Sequence, residues 1–345
     1  MNTNNAGQSA AVLEYKQVQL TTQALSSAAN ITTNLPSQMM WAGMQFDLSG
    51  TVNISVASPT AARDSFLNLI QRLTLNLNGR PIFDLPFAQA VYRSWFDMQA
   101  KQTFTDPGNT TGDFFASLRI PFNLPFPARS PGAFGTVVPA AMINNIQLQI
   151  LCPPSLSTAQ FSNVNGATIT YTNGPTLTVS ALAADVDRAT MVDVVNKGGH
   201  GYVQNSYLQP IAGTGDLDQD LQGGSGILKD LFVDTVNNSL NVAQAAAPFI
   251  SNVRLMVGNN LFPIDSFWNT LQNRSRQIYA MPNADMPAGC WRYSFNQHGD
   301  FMEGIDLRRQ PSVKLRSTVA TSVTATAQQI IQTGILVPNY IKAIL

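Results

Sequence analysis

The chain has 345 residues, with 20 Lys or Arg against 20 Asp or Glu, so its formal net charge is zero and charged residues make up only 12% of it, against about 25% in an average soluble domain. That length exceeds the roughly 250–300 residues at which one hydrophobic core stops growing, which favours two domains. No basic cluster is longer than Arg308-Arg309, which excludes the concentrated positive field of a nucleic-acid-binding surface. No stretch reaches the roughly 18 apolar residues of a membrane span. Cys152 and Cys290 are the two cysteines; they are too few for a disulfide framework, have no second metal ligand nearby, and read as buried thiols. With so few charges and many Asn, Gln, Ser and Thr, the surface must be solubilised by amides and hydroxyls, or much of it must be covered by other subunits.

Residues 1–11, MNTNNAGQSAA, carry no basic region followed by an apolar run, so synthesis in a cytoplasm is expected and residues 1–12 read as an N-terminal arm. The sequons at Asn30 and Asn53 are then a by-product of an Asn- and Thr-rich composition. Period-two alternation begins with TVNISV (51–56), where Val52, Ile54 and Val56 share a face, and continues in LTLNLN (73–78) with Leu73, Leu75 and Leu77. These are half-buried antiparallel strands. FAQAVYRSWFDMQAK (87–101) spaces Ala88, Val91, Trp95 and Met98 along one face of a helix of about three turns. QTFTDPGNTTGDFF (102–115) has the composition of an exposed loop, and FNLPFPARSPGAFG (122–135) is Pro- and Gly-rich, consistent with connections and not with long helices. ATITYTNGPTLTVSAL (167–182) reads as two strands around Asn173-Gly174-Pro175.

Alternation is lost over residues 185–200, which end in a glycine cluster, so a seam between two units is expected there. Lys197-Gly198-Gly199-His200-Gly201 lacks the GK[ST] ending and the βαβ context of a phosphate loop and reads as a flexible linker. Residues 205–226 read as a long exposed loop. Within it, Asp216, Asp218 and Asp220 have the alternate-residue spacing that hard cations favour, but Leu221 and Ile227 stand where an EF-hand needs Gly and Glu. A solvated loop is preferred, with a structural Ca²⁺ as the alternative.

The second half then repeats the first. RLTLNLNGRPI (72–82) and RLMVGNNLFPI (254–264) share Arg-Leu, an Asn at 78 and 260, and Pro-Ile at one fixed offset. Each is followed by a helical pattern, the second being FWNTLQNRSRQIYAM (267–281) with Phe267, Leu271 and Ile278 at helical spacing. A weaker match joins IQLQILCP (146–153) to IQTGILVP (331–338). Either the second half lacks a last hairpin, or 331–338 corresponds to the strand at 176–182; the latter is preferred, since a missing hairpin would leave a sheet edge uncovered. Two similar all-β halves of this size imply two tandem sandwiches or barrels, and a period this long excludes a solenoid or propeller. An enzyme needs a constellation. His200 and His298 are the only histidines, and His298 with Asp300 has no accompanying nucleophile signature, so no catalytic residues and no cofactor are assigned.

Two duplicated β-units with matching helices resemble the double jelly-roll major capsid proteins of icosahedral viruses, the lineage of adenovirus hexon and of tailless, membrane-containing bacteriophages. FLNLIQRLTLNLNGRPIFDLPFAQAVYRSWFDMQAKQ (66–102) is similar to the first roll's strand pair and following helix, NNIQLQILCPP and TLTVSALAAD to its later strands, and FISNVRLMVGNNLFPIDSFWNTLQNRSRQ (249–277) to the equivalent part of the second roll. The resemblance implies two eight-stranded jelly rolls, at 13–190 and 191–345, with short helices in loops and a short C-terminal arm. It implies a capsid protein that assembles as homotrimers into an icosahedral shell, located in the virion. Its partners would be itself, penton and minor capsid proteins and an internal lipid membrane, with no sequence-specific nucleic acid. Phage members commonly begin with a basic amphipathic helix that reaches the membrane, whereas residues 1–11 contain no Lys or Arg. NYIKAIL (339–345) is the better candidate for an interior-facing arm, its alternative being a last strand that finishes in the core. The competing function is a receptor- or glycan-binding spike or minor capsid protein, whose site would lie in aromatic-rich loops. Trp41, Trp95, Trp268 and Trp291 do not share one loop, and the expectation for Trp95 and Trp268 is a core or subunit-contact position in the repeated helices.

Overall fold

In the computed structural model, residues 16–55, 58–102, 104–122, 136–221, 226–238, 242–243, 249–258, 261–295, 303–310, 312–324 and 326–345 are described. The N-terminal arm expected at 1–12, and His298 with Asp300, lie outside them. Among the described residues, sixteen strands form the main sheets. The first eight are β1 (Lys16–Ala24), β2 (Asn30–Asn34), β3 (Met40–Ile54), β4 (Arg72–Leu77), β5 (Arg80–Leu85), β6 (Gly112–Pro121), β7 (Ile146–Leu151) and β8 (Ile169–Ala184). The second eight are β9 (Gly201–Pro210), β10 (Gly215–Asp220), β11 (Ile227–Asn238), β12 (Ile250–Val257), β13 (Leu261–Phe267), β14 (Cys290–Ser294), β15 (Val313–Val319) and β16 (Gln328–Val337).

The pairing is the same in both halves. The first half forms the sheets β1-β8-β3-β6 and β2-β7-β4-β5; the second forms β9-β16-β11-β14 and β10-β15-β12-β13. Two four-stranded antiparallel sheets wound in this order are a jelly roll, and the chain contains it twice. β5 and β9 join in parallel, Phe83 beside Gln204 and Asp84 beside Asn205, so one sheet of each roll is continuous with the other. The faces change over at this junction: the side of the sheet that lines the first core becomes the outer side of the second roll.

The strands form where alternation demands a buried face. Leu73, Leu75 and Leu77 of β4 are fully buried while Arg72, Thr74 and Asn76 are only partly so, and each such leucine contributes about 1.5–3 kcal/mol. Between β4 and β5, Asn78 (φ 48°) and Gly79 (φ 81°) are both left-handed, the two-residue primed turn that matches strand twist. The two recurring segments occupy the same topological position, β4-β5 and β12-β13. Each keeps an Arg–Asp pair on its outer face, Arg72 with Asp84 and Arg254 with Asp265. Their registers differ: Arg254 stands directly opposite Asp265, whereas Thr74 stands opposite Asp84 and Arg72 reaches it diagonally. In the second half β16 takes the place of β8, as preferred above, and β15 the place of β7.

Helix α1 (Phe87–Met98) buries Ala88, Val91 and Trp95 as its spacing predicts. α2 (Leu156–Gln160) is a single turn, and α3 (Arg188–Lys197) fills the expected seam. α4 (Trp268–Ile278) buries Trp268, Leu271 and Ser275. Phe267, placed by its spacing on the buried face, is instead the residue before the helix and is 70% exposed.

Five further expectations are corrected. The 167–182 segment is one strand, not two: Asn173 and Gly174 take φ of 55° and 135° within β8, and a register shift against β3 between Thr172 and Thr176 absorbs the turn-forming residues as a bulge. The loop expected at 205–226 is largely strand, since β9 runs to Pro210 and β10 spans 215–220; antiparallel pairing with β16 and β15 holds them extended. The loop expected at 102–115 gives way to β6 at Gly112. The glycine-rich linker is held closely, because a Cβ on Gly201 would lie 2.6 Å from the ring of Tyr340. That ring belongs to α5 (Tyr340–Ile344), a helical turn where an interior-facing arm, or a last strand finishing in the core, was expected. Tyr340, Ile341 and Ile344 are buried in the first roll's core, Tyr340 Oη donates to Pro81 O (2.8 Å), and Asn78 Nδ2 donates to Ile344 O (2.6 Å).

Candidate functional site

The densest polar chemistry lies at the junction of the two rolls. Along α1, Gln89, Arg93 and Asp97 recur every four residues and so share one face. That face meets the outer side of β11 and β14. Arg93 Nη2 donates to Asp230 Oδ1 (2.8 Å) and to Tyr202 Oη (2.8 Å). Arg292, fully buried, donates from Nη1 to Asp97 Oδ1 (2.6 Å) and from Nη2 to Asp230 Oδ2 (3.2 Å), with its guanidinium 5.0 Å from the Tyr279 ring centre. Tyr202 Oη also donates to Asp230. One turn away, Asp234 accepts from Arg63 Nη1 (3.0 Å), Gln89 Nε2 (3.0 Å) and Cys290 Sγ (3.3 Å). Gly334 leaves the room: a Cβ there would sit 2.7 Å from Arg93 Nη2 and closer still to the Tyr202 hydroxyl.

Burial alone would raise the Asp230 carboxyl, but the Arg93 and Arg292 guanidiniums more than cancel it and hold the group below the ordinary carboxylate range. Burial, reinforced by Asp234, pushes the Cys290 thiol well up, so it is an unreactive thiol and not a nucleophile. Burial likewise pushes up Tyr202 and Tyr92. The arrangement is a charge-compensated, water-excluded weld between the rolls.

The sequence-level candidates lie elsewhere. Asp216, Asp218 and Asp220 project from one face of β10 toward β15. Arg316 Nε and Nη2 donate to Asp218 (2.6 and 2.8 Å) and Thr318 Oγ1 to Asp216 (2.9 Å), while Lys314 Nζ lies 3.5 Å from Asp220. The hydrogen bond from Arg316 holds the Asp218 carboxyl low. His200 Nδ1 accepts from the Asn339 backbone N–H at 3.2 Å, beside α5. Cys152 and Cys290 are both buried and unpaired with each other. All four tryptophans are at most 3% exposed. Among the described residues no group of three or more His, Cys, Asp or Glu side chains is placed to hold a metal, and no helix is long and apolar enough to cross a membrane. The junction residues escaped the sequence reading because they come from separate elements. The signal available was Lys229, Asp230 and Asp234 in the otherwise apolar LKDLFVDTV of β11: charges on a buried strand require partners.

Apolar surface concentrates at one edge. Leu261 (57% exposed), Phe262 (45%) and Phe267 (70%) all belong to β13. Beyond the weld, a cavity of about 410 Å³ opens between the rolls, lined by Arg72, Pro86, Gln89, Leu151, Tyr207 and Leu208 among others.

No protein-family model matches the sequence, and no curated protein matches it. Solved structures do. The chain is similar to the major capsid protein (MCP) of STIV, Sulfolobus Turreted Icosahedral Virus, at TM-score 0.74 and 14% identity, over 96% of this chain and 98% of that one. It is similar to the PBCV-1 virus capsid protein at TM-score 0.60 and 10% identity, over 94% and 95% of the two chains. It is also similar to the major capsid protein P2 of bacteriophage PM2 at TM-score 0.56 and 8% identity, over 93% and 97%. At these identities the likeness is one of fold. The chain is a double jelly roll, and its structural neighbours are viral major capsid proteins.

Proposed function

We propose that this chain is a major capsid protein that assembles as homotrimers, each presenting six similar rolls, into an icosahedral virus shell. The observation that carries the reading is the similarity to viral capsid proteins over both rolls and nearly the whole length of each chain. The duplication supports it physically. A threefold axis acting on two like rolls yields six like units around a ring, which tiles a hexagonal lattice. The low charge content supports it too, since amide, hydroxyl and apolar surface can be covered without stranding unpaired ions.

The working division is a first roll at 13–190 and a second at 191–345. Its boundary falls within α3, and the C-terminal residues belong to the junction and are not an arm. A shell of hexagonal capsomers closes only with a different unit at its fivefold vertices, so penton and minor capsid proteins are the expected partners, with the virion as the location and a host cytoplasm as the site of synthesis. Asp216, Asp218 and Asp220 act as a cross-strand charge ladder with Arg316 and Lys314, not as a Ca²⁺ site; calorimetric titration with Ca²⁺ tests this, with no binding heat expected. No catalytic step is assigned. Size-exclusion chromatography with light scattering tests the main reading: the expected mass is three times the 37.3 kDa chain, and negative-stain images should show hexagonal capsomers. A stable monomer at micromolar concentration, or isolated fibres, would favour a spike instead.

A further inference from the structure

Within the chain, one edge of the first roll is closed by the second: β5 pairs with β9, and α1 lies on the outer side of β11. The duplication supplies a second copy of every part, and the second copies are left open. Among the described residues β13, the counterpart of β5, pairs only with β12, and β1, the counterpart of β9, pairs only with β8. An open strand edge carrying exposed Leu261, Phe262 and Phe267 needs cover.

The charges repeat with the strands. Arg93 and Arg274 are each the seventh residue of their helices, α1 and α4. Asp230 stands opposite Ser294 in the β11-β14 ladder, and Asp47 stands opposite Ser117 in the β3-β6 ladder. In the second roll this aspartate is met by Arg93. In the first, Asp47 accepts only from Ser117 Oγ (2.6 Å) and Gln45 Nε2 (3.0 Å), and no cation among the described residues is paired with it. Arg274 is exposed and stacks over the Tyr293 ring at 4.7 Å, and no carboxylate among the described residues is paired with it. The chain therefore carries an Arg on its open helix and an Asp on its open sheet face, at the positions that meet inside the molecule.

We propose that β13 and α4 of one copy dock on β1 and the outer face of β3 of the next, repeating the internal β5-β9 and α1-β11 junction, with Arg274 paired to Asp47 of the neighbouring copy. The surface rests on the trimer reading and gives it a specific interface: a head-to-tail contact that closes after three steps. Its ladder is short, as the internal one is, so the apolar residues of β13 and the ion pair supply most of the contact.

Charge reversal on the full chain, read by light scattering with circular dichroism as the check on folding, tests it. Arg274→Glu alone and Asp47→Arg alone should each raise the trimer dissociation constant roughly a hundredfold, because each puts like charges together. The Arg274→Glu/Asp47→Arg double variant should restore the trimer. Single variants that remain trimeric would overturn this surface and leave the trimer standing. Folded single variants that are monomeric, with a double variant that is monomeric too, would overturn the pairing. A wild-type monomer would overturn the trimer reading along with it.

Discussion

Replacing Arg93 by Met removes one guanidinium from the weld and keeps the bulk of its stem. In the folded protein Arg93 is 3% exposed and Asp230 1%, so the pair belongs with buried ion pairs, whose breakage costs about 3–5 kcal/mol, and not with surface pairs worth about 0–1 kcal/mol. Arg292 still faces Asp230 at 3.2 Å after the change, which places the expected loss toward the lower end of that range. An unfolding entropy of about 2.1 cal/mol/K per residue, taken over 345 residues, converts about 3–5 kcal/mol into a fall in Tm of roughly 4–7 °C. Because the weld joins the rolls, the wild type should unfold in one transition, and the variant should approach two. The companion Arg93→Met/Asp230→Leu variant leaves the Arg292–Asp97 pair at 2.6 Å, and it should recover about 1–3 kcal/mol relative to the sum of the single changes. Urea and thermal denaturation at one fixed protein concentration are the assays, since association adds concentration-dependent stability. A loss below about 1 kcal/mol for Arg93→Met would refute the view that this network joins the rolls.

Other consequences can be measured on the same material. Asp230 is held below its unfolded value by Arg93 and Arg292, so the unfolded chain binds the proton more readily. Its stabilisation is complete above the ordinary carboxylate pKa of about 3.9 and is lost as pH falls through the lower folded value; acid titration of stability should show a steeper loss in the wild type than in Arg93→Met. Gly334→Ala sets a methyl 2.7 Å from Arg93 Nη2 and against the Tyr202 hydroxyl, and it should cost about 1–3 kcal/mol in the same denaturation assay, an effect that Arg93→Met should relieve in part. Deleting residues 340–345 removes buried Tyr340, Ile341 and Ile344 and should cost roughly 5 kcal/mol or more; a truncated protein as stable as the full chain would mean that α5 is an arm after all.

Much of this protein could be read along the chain, because the relevant physics is local. Period-two alternation marked the end of β3, all of β4 and most of β8, helical spacing marked α1 and α4, and the recurrence of Arg-Leu, Asn and Pro-Ile marked the duplicated β4-β5 and β12-β13 hairpins. Local reading failed where a neighbour decides. Asn173-Gly174-Pro175 has turn chemistry, yet β3 on one side and β1 on the other keep β8 a single strand. Residues 205–226 look like a loop, yet β15 and β16 turn most of them into β9 and β10, and pairing with Arg316 turns an aspartate ladder with metal-like spacing into one side of a charge ladder. The weld of Arg93, Asp97, Asp230 and Arg292 draws on α1, β11 and β14, and no spacing along the chain encodes it. A buried charge shows in the sequence only as a residue out of place; its partner is chosen by the approach of two surfaces, which only the tertiary structure specifies.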